Sequence, residues 1–157
     1  MNYTDHYNSP IGKLTLETDG EFLTGLWFSE KLGVENKTLP IFKETKKWLD
    51  IYFKGKNPDF TPKIKLEGSA FRHSVWKILQ EIPYGTTVTY KYIAQKVFKD
   101  KICAQAVGNA VGHNPISIIV PCHRVIGTNG SLTGYAGGLE RKVKLLQLEG
   151  NKIKKVK

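Results

Sequence analysis

The stretch Ile118-Ile119-Val120-Pro121-Cys122-His123-Arg124-Val125-Ile126-Gly127 constrains the fold more than any other part of this chain. Three β-branched residues predict the buried end of a strand over 118–120. Pro121 has no N–H to give to a ladder, so regular pairing is expected to stop there. Cys122 is then placed where a buried strand gives way to a loop, and His123 and Arg124 follow it directly. A free cysteine is among the most buried residue types and usually serves as a small core residue. Cationic neighbours favour another role, because they lower a thiol pKa and make the thiolate available as a nucleophile. Both readings of Cys122 stand on the local sequence.

The rest of the 157 residues divides into two parts of different character. Residues 1–63 contain 9 lysines and 9 acidic residues, whereas 64–157 contain 15 basic and 5 acidic residues and so carry the whole net charge of +10. A neutral piece joined to a basic piece points to a polyanionic partner for the basic piece, against a merely lysine-rich surface. Only two cysteines are present, Cys103 and Cys122, with no CxxC, which argues against a disulfide framework or a cysteine-rich zinc site and for a reducing compartment. No apolar run reaches membrane-spanning length, and the first residues do not have the pattern of a secretory signal.

The first part reads as an α/β domain, an antiparallel meander plus a helix. Strands are expected over 2–7, 13–18 and 21–28, with turns at Ser9-Pro10-Ile11-Gly12 and Asp19-Gly20. A polar loop over 29–37 follows. A helix then opens at Thr38 and Pro40, with Ile41, Trp48, Leu49, Tyr52 and Phe53 at helical spacing. A short strand over 63–66 leads into the second part, which is mostly helical. Ser69 caps a helix carrying Phe71, Val75, Trp76, Ile78 and Leu79. Thr89 caps another, with Tyr92, Ile93, Val97 and Phe98 as its apolar face. A third helix spans 102–113, and the last pair forms a helix-turn-helix pattern. On that third helix Cys103, Ala104, Gln105, Ala106, Gly108 and Asn109 are mostly small. Such a smooth helix suits close approach to a shallow groove read by shape, and it equally suits tight helix packing. A glycine-rich loop over 133–138 and a last helix over 139–149 complete the domain, followed by a basic tail.

Four motifs occur in order: Ile82-Pro83-Tyr84-Gly85-Thr86, Pro121-Cys122-His123-Arg124-Val125-Ile126-Gly127, Tyr135-Ala136-Gly137-Gly138-Leu139 and Leu145-Leu146-Gln147-Leu148-Glu149-Gly150. Together they closely resemble the O6-alkylguanine-DNA alkyltransferases, over about residues 71–150. The resemblance implies an RNase H-like fold for the first part. It implies a single-turnover repair protein acting on double-stranded DNA. Cys122 attacks the alkyl carbon on O6 of a flipped-out guanine and keeps the group as a thioether, with O4-alkylthymine as a second candidate substrate. His123 deprotonates Cys122, in the family through a bound water, and Glu149 holds the imidazole. Asn114 ties the cysteine strand to the helix-turn-helix. Tyr90 helps rotate the phosphate and donates toward the guanine. Tyr135 and the Ala136 N–H line the base pocket, and the carbonyls of Cys122 and Val125 accept from the guanine amino group. Arg124 is structural, turned inward to carbonyls or a carboxylate. The third helix supplies the DNA contacts.

Two departures stand out. The family usually carries an arginine that fills the gap left by the flipped base, and here Gln105 stands in that run. Some members bind zinc in the first domain through Cys and His, but residues 1–63 hold only His6, so neither metal nor cofactor is expected. The resemblance further implies a monomer in the cytoplasm, associated with the nucleoid in a prokaryote, with no membrane partner. Two rivals come from other classes. One is a non-enzymatic alkyltransferase-like lesion binder, a group that lacks cysteine at this position. The other is a cysteine hydrolase, which needs turnover and an oxyanion hole.

Overall fold

The computed structural model describes residues 2–98, 104–132 and 134–152. They form two compact units, Met1–Glu67 with Pro115–Ser117, and the remainder of the chain.

In the first unit, β1 (Tyr3–Ser9) and β2 (Gly12–Thr18) make an unbroken antiparallel ladder from Tyr3 opposite Thr18 to Ser9 opposite Gly12. The Ser9 hydroxyl closes the turn, donating to the Gly12 carbonyl at 2.6 Å and accepting from the Ile11 N–H at 3.2 Å. Gly12 has φ +114°, a conformation that only glycine adopts without strain. β3 (Leu23–Trp27) pairs antiparallel with β2. The expected polar loop contains a fourth strand, β4 (Val34–Glu35), parallel to β1, which gives the order β3-β2-β1-β4. Two exposed residues carry no periodic signal, so the sequence gives no sign of it. Pro40 occupies the first turn of α1 (Pro40–Phe53), whose inner face buries Ile41, Phe42, Thr45, Trp48, Leu49 and Tyr52. Lys46 of α1 pairs with the buried Asp5 of β1.

The strand expected over 63–66 reduces to a single bridge between Ile64 and Leu23. Contacts of this unit nonetheless run on to Glu67, so the chain divides after residue 67 rather than 63. Pro115–Ser117 return to the first unit as well, with the Leu26 N–H donating to the Pro115 carbonyl and the Ser117 N–H to the Leu26 carbonyl.

The second unit opens with α2 (Ala70–Gln80), capped by the Ser69 hydroxyl on the Arg72 N–H at 3.2 Å. Val75, Trp76 and Leu79 are buried, and the Trp76 indole donates to the Ala110 carbonyl at 2.9 Å. Thr89 accepts from the Tyr92 N–H at 3.0 Å and so caps α3 (Tyr90–Phe98). α4 (Ala104–Gly112) buries Val107, Ala110 and Val111. Ile102 and Cys103 lie outside the described residues, as does the end of the basic tail. A two-stranded parallel sheet joins β5 (Val88–Thr89) to β6 (Val125–Ile126). α5 (Leu139–Leu148) ends at Glu149, its C-cap. No helix among the described residues is long and apolar enough to cross a membrane.

Two expectations for this unit are corrected. Tyr92 does not face inward, being 41% exposed, while Ile93 and Ala94 cover the inner face of α3. The run Ile118–Val120 is buried but is not a strand. Ile118 has φ +70°, rare for a β-branched residue, and the chain turns there. A second tight turn follows, with Pro121 at φ −83° and ψ 66° and the Cys122 N–H bonded to the Val120 carbonyl at 2.8 Å. Cys122, His123 and Arg124 then form one turn of 3-10 helix. A β-branched apolar run reports burial reliably, but its backbone here is set by closely spaced turns.

Candidate active site

That 3-10 turn packs against the C-terminal end of α5, and the pairing decides the chemistry. Cys122, His123, Arg124, Lys142 and Glu149 are all buried. Buried charges are tolerated when they partner one another, and here one carboxylate collects most of the contacts. His123 Nε2 lies 2.6 Å from Glu149 Oε2. Arg124 donates from Nε to Oε1 at 2.7 Å and from its second terminal nitrogen to Oε2 at 3.1 Å. The Gly85 N–H donates to Oε1 at 3.2 Å. Burial works to raise the Glu149 pKa, but His123 and Arg124 outweigh it and bring the carboxyl down to about 2.

The same turn that supplies Gly85 holds Arg124. Its guanidinium donates to the Ile82 carbonyl at 2.7 Å and stacks over the Tyr84 ring at 5.7 Å. Gly85 has φ +79°, which strains any side-chain-bearing residue, and a Cβ there would sit a tight 3.1 Å from the Glu149 carbonyl oxygen, so both favour glycine. The motif over 82–86 is thus a cradle for the Arg124–Glu149 pair, a role its sequence alone does not disclose.

Burial pushes the Cys122 thiol up, while a hydrogen bond from Asn114 and the Lys142 charge pull it down without reversing the shift. Burial likewise pushes His123 down against the opposing pull of Glu149. The resting site is therefore a thiol beside a neutral imidazole. The short contact to Glu149 assigns the ring proton to Nε2 and leaves Nδ1 as the basic nitrogen. Asn114 follows α4 and donates to the Val120 carbonyl at 2.7 Å, linking the end of the helix pair to the cysteine turn.

Lys142 is the residue that the motifs do not announce. It is fully buried, donates to the Val125 carbonyl at 2.7 Å, and burial brings its pKa down to about 8, against the pull of Cys122. Its signal was present: 142, 145, 146 and 149 form one helical stripe of buried residues, and a lysine within such a stripe is buried with it. The Cys122 carbonyl also has a donor within the chain, the Val125 N–H. Both carbonyls expected to face a guanine amino group thus already accept one hydrogen bond within the chain.

Tyr90 is the half-buried first residue of α3. Tyr135 is half-buried, and Ala136 is exposed in the turn closed by the Gly138 N–H on the Tyr135 carbonyl at 2.9 Å. On α4, Gln105 and Asn109 are exposed and Ala106 and Gly108 half-buried. A Cβ built on Gly108 or Gly112 would meet no atom within 4 Å. These glycines are not small in order to admit a packed neighbour, so the helix presents an open, low-relief surface. Ala104 starts α4, and Cys103 falls outside the described residues. No group of three or more His, Cys, Asp or Glu side chains among the described residues is placed to hold a metal ion.

Comparison with known proteins agrees over most of the chain. Residues 2–67 match the 6-O-methylguanine DNA methyltransferase ribonuclease-like domain, and residues 70–151 match the DNA binding domain of the same family. The methylated-DNA–protein-cysteine methyltransferase of Methanosarcina acetivorans is 46% identical over 151 residues, covering 92% of this chain and 96% of that one. The crystal structure of Mycobacterium tuberculosis O6-methylguanine methyltransferase superposes with a TM-score of 0.86 at 43% identity, over 95% of this chain and 93% of that one. Mycobacterium tuberculosis OGT in complex with DNA gives a TM-score of 0.84 at 44% identity, over 94% and 92% of the two chains. With both domains matched in order and the cysteine turn intact, the chain belongs to the 6-O-methylguanine DNA methyltransferase family.

Proposed function

We propose that Cys122 takes the alkyl group from O6 of an alkylated guanine in duplex DNA and keeps it as a thioether, once per molecule. The observation that carries this reading is a buried cysteine followed in the same 3-10 turn by a buried histidine whose Nε2 is held by an ionised carboxylate. The thiol proton passes to His123, and Glu149 stabilises the imidazolium so formed. The sulfur attacks the alkyl carbon in line. The carbon–sulfur bond forms as the carbon–O6 bond breaks, and the departing guanine anion takes up one proton. In net terms the thiol hydrogen is exchanged for the alkyl group. A thioether has no leaving group that water could displace, so the reaction stops after one event.

The base reaches Cys122 only outside the stack. Asn114 fixes the cysteine turn to the end of α4, so the groove-facing helix and the reacting sulfur keep one geometry. Gln105, exposed at the start of α4, fills the gap left in the duplex. Tyr90, Tyr135 and the Ala136 N–H serve the phosphate and the base, and the Cys122 and Val125 carbonyls receive the guanine amino group. O4-alkylthymine lacks that amino group and is the poorer substrate. Every residue invoked comes from one chain, so a monomer suffices, and a free reactive thiol suits a reducing cytoplasm and its nucleoid.

The test is stoichiometry. Intact protein is mixed with an excess of O6-methylguanine duplex, and its mass and the repaired DNA are followed together. The expected result is a gain of one CH2 per molecule, located on Cys122, and one repaired duplex per protein. Many turnovers with an unchanged protein mass would make it a hydrolase, and binding without transfer would make it a lesion binder.

A further inference from the structure

The face of α3 opposite the buried Ile93 and Ala94 carries exposed Lys91, Tyr92, Gln95 and Lys96, with no acidic residue on the helix. Tyr92 is the one large apolar side chain of the second unit, among the described residues, left well exposed. Lys96, one turn later, lies over its ring with Nζ 5.0 Å from the centroid. The adjacent Tyr92 phenol raises the Lys96 pKa, with a small further contribution from Glu81. Elsewhere Lys13 pairs with Glu30, Lys46 with Asp5 and Lys144 with Glu140. The Lys96 ammonium and the Tyr92 hydroxyl instead form one donor group facing solvent.

We propose that Tyr92 and Lys96, with Lys91 beside them, are a phosphate-binding site for the DNA backbone flanking the groove in which α4 lies. The inference rests on the reading of this unit as DNA-binding and adds a contact to it. In a helix-turn-helix the second helix occupies the groove while the first crosses the backbone, and α3 is the first. A phenol hydroxyl and an ammonium converging from i and i+4 match the donors that phosphate oxygens take. The aromatic ring restrains the lysine through a cation–π contact, so less side-chain freedom is lost on binding than for an unrestrained lysine.

The test measures affinity for a lesion-free duplex across a salt series, together with transfer from free O6-methylguanine base as the check on an intact fold and pocket. Tyr92→Ala is the decisive variant, because it leaves the net charge unchanged. Tyr92→Ala and Lys96→Gln are expected to weaken duplex binding several-fold with transfer from the free base unaltered, and Lys96→Gln should flatten the log–log salt slope by about 0.9. Tyr92→Phe, which keeps the ring and loses the hydroxyl, should fall between. Lys54→Gln, an exposed lysine of the neutral first unit, controls for a general charge effect. The site is refuted if Tyr92→Ala binds as wild type and Lys96→Gln behaves as Lys54→Gln. If wild type itself binds the duplex weakly and without salt dependence, the DNA-binding reading falls with it.

Discussion

The two units handle buried charge differently. The first hides one carboxylate, Asp5, and answers it with Lys46, whose side chain is still 34% exposed. The second packs a thiol, an imidazole, a guanidinium, an ammonium and a carboxylate into one buried cluster spread over three short segments. A single ion pair with one foot in water is a fastening. A closed cluster with no such outlet is expensive to build unless every member is satisfied, and its value lies in what it does to Cys122. The first unit can be read as packing, and the second as packing bent around a reaction.

The largest effect should come from removing the central carboxylate and its counterpart in the first unit. Glu149→Ala leaves Arg124 buried without its counterion and is expected to cost about 3–5 kcal/mol. Asp5→Ala leaves Lys46 able to turn to water and should cost about 1–3 kcal/mol. Denaturant unfolding of both variants measures the contrast, and equal losses would erase it. Acid supplies a second reading of the same difference. The Glu149 pKa is lowered from 4.5 to about 2, so its contribution is complete above about 4.5 and is lost as pH falls toward 2. Glu149→Gln, which keeps the shape, should flatten the stability curve in that window.

Lys142 should separate stability from activity. Its pKa is lowered from 10.5 to about 8, so the folded chain carries a buried charge at neutral pH and gains stability as pH rises from 8 to 10.5. Lys142→Met preserves volume and removes that charge. The expected result is an unchanged or higher Tm near neutral pH together with slower transfer, because the cation that pulls the Cys122 thiol down is gone. A large fall in Tm would make Lys142 a structural fastening like Lys46.

The smallest effect belongs to the surface. Gln105 offers a planar amide and no charge to the gap left by a flipped base, a gap that costs a few kcal/mol to open. Gln105→Arg is expected to speed repair of a well-paired duplex several-fold with little change for the free base, and Gln105→Gly to slow only the duplex reaction. Equal effects on duplex and free base would place Gln105 in the pocket rather than at the gap.

Legibility in the sequence followed the same divide. β2 and α1 were readable because β2 alternates and the apolar residues of α1 recur at helical spacing, and Ser9, Gly12 and Pro40 mark the turns and the helix start by their own chemistry. β4, β5 and β6 have two residues each, too few to show a period, and exist through pairing partners distant in sequence. Burial of 118–120 was readable, but the left-handed turn at Ile118 was not, because nothing in a β-branched side chain announces it. The motifs that carry the family resemblance name Cys122, His123 and Glu149. The supporting groups come from turn backbone, at Ile82 and Gly85, and from a lysine on an apolar stripe. Such groups act by position, and position emerges only once the segments meet.

The central claim is that the buried groups of the second unit ease the ionisation of a cysteine that burial holds as a thiol. The most direct measurement is the pH dependence of alkyl transfer to Cys122 in wild type, Glu149→Gln and Lys142→Met, with the site of alkylation mapped in each. Loss of Glu149 destabilises the imidazolium that takes the thiol proton, and loss of Lys142 removes a cation near the sulfur. Both make Cys122 harder to ionise, so the rising limb set by the thiol should move to higher pH in both variants. Profiles that superpose on wild type would contradict the account and leave the cluster as structure alone.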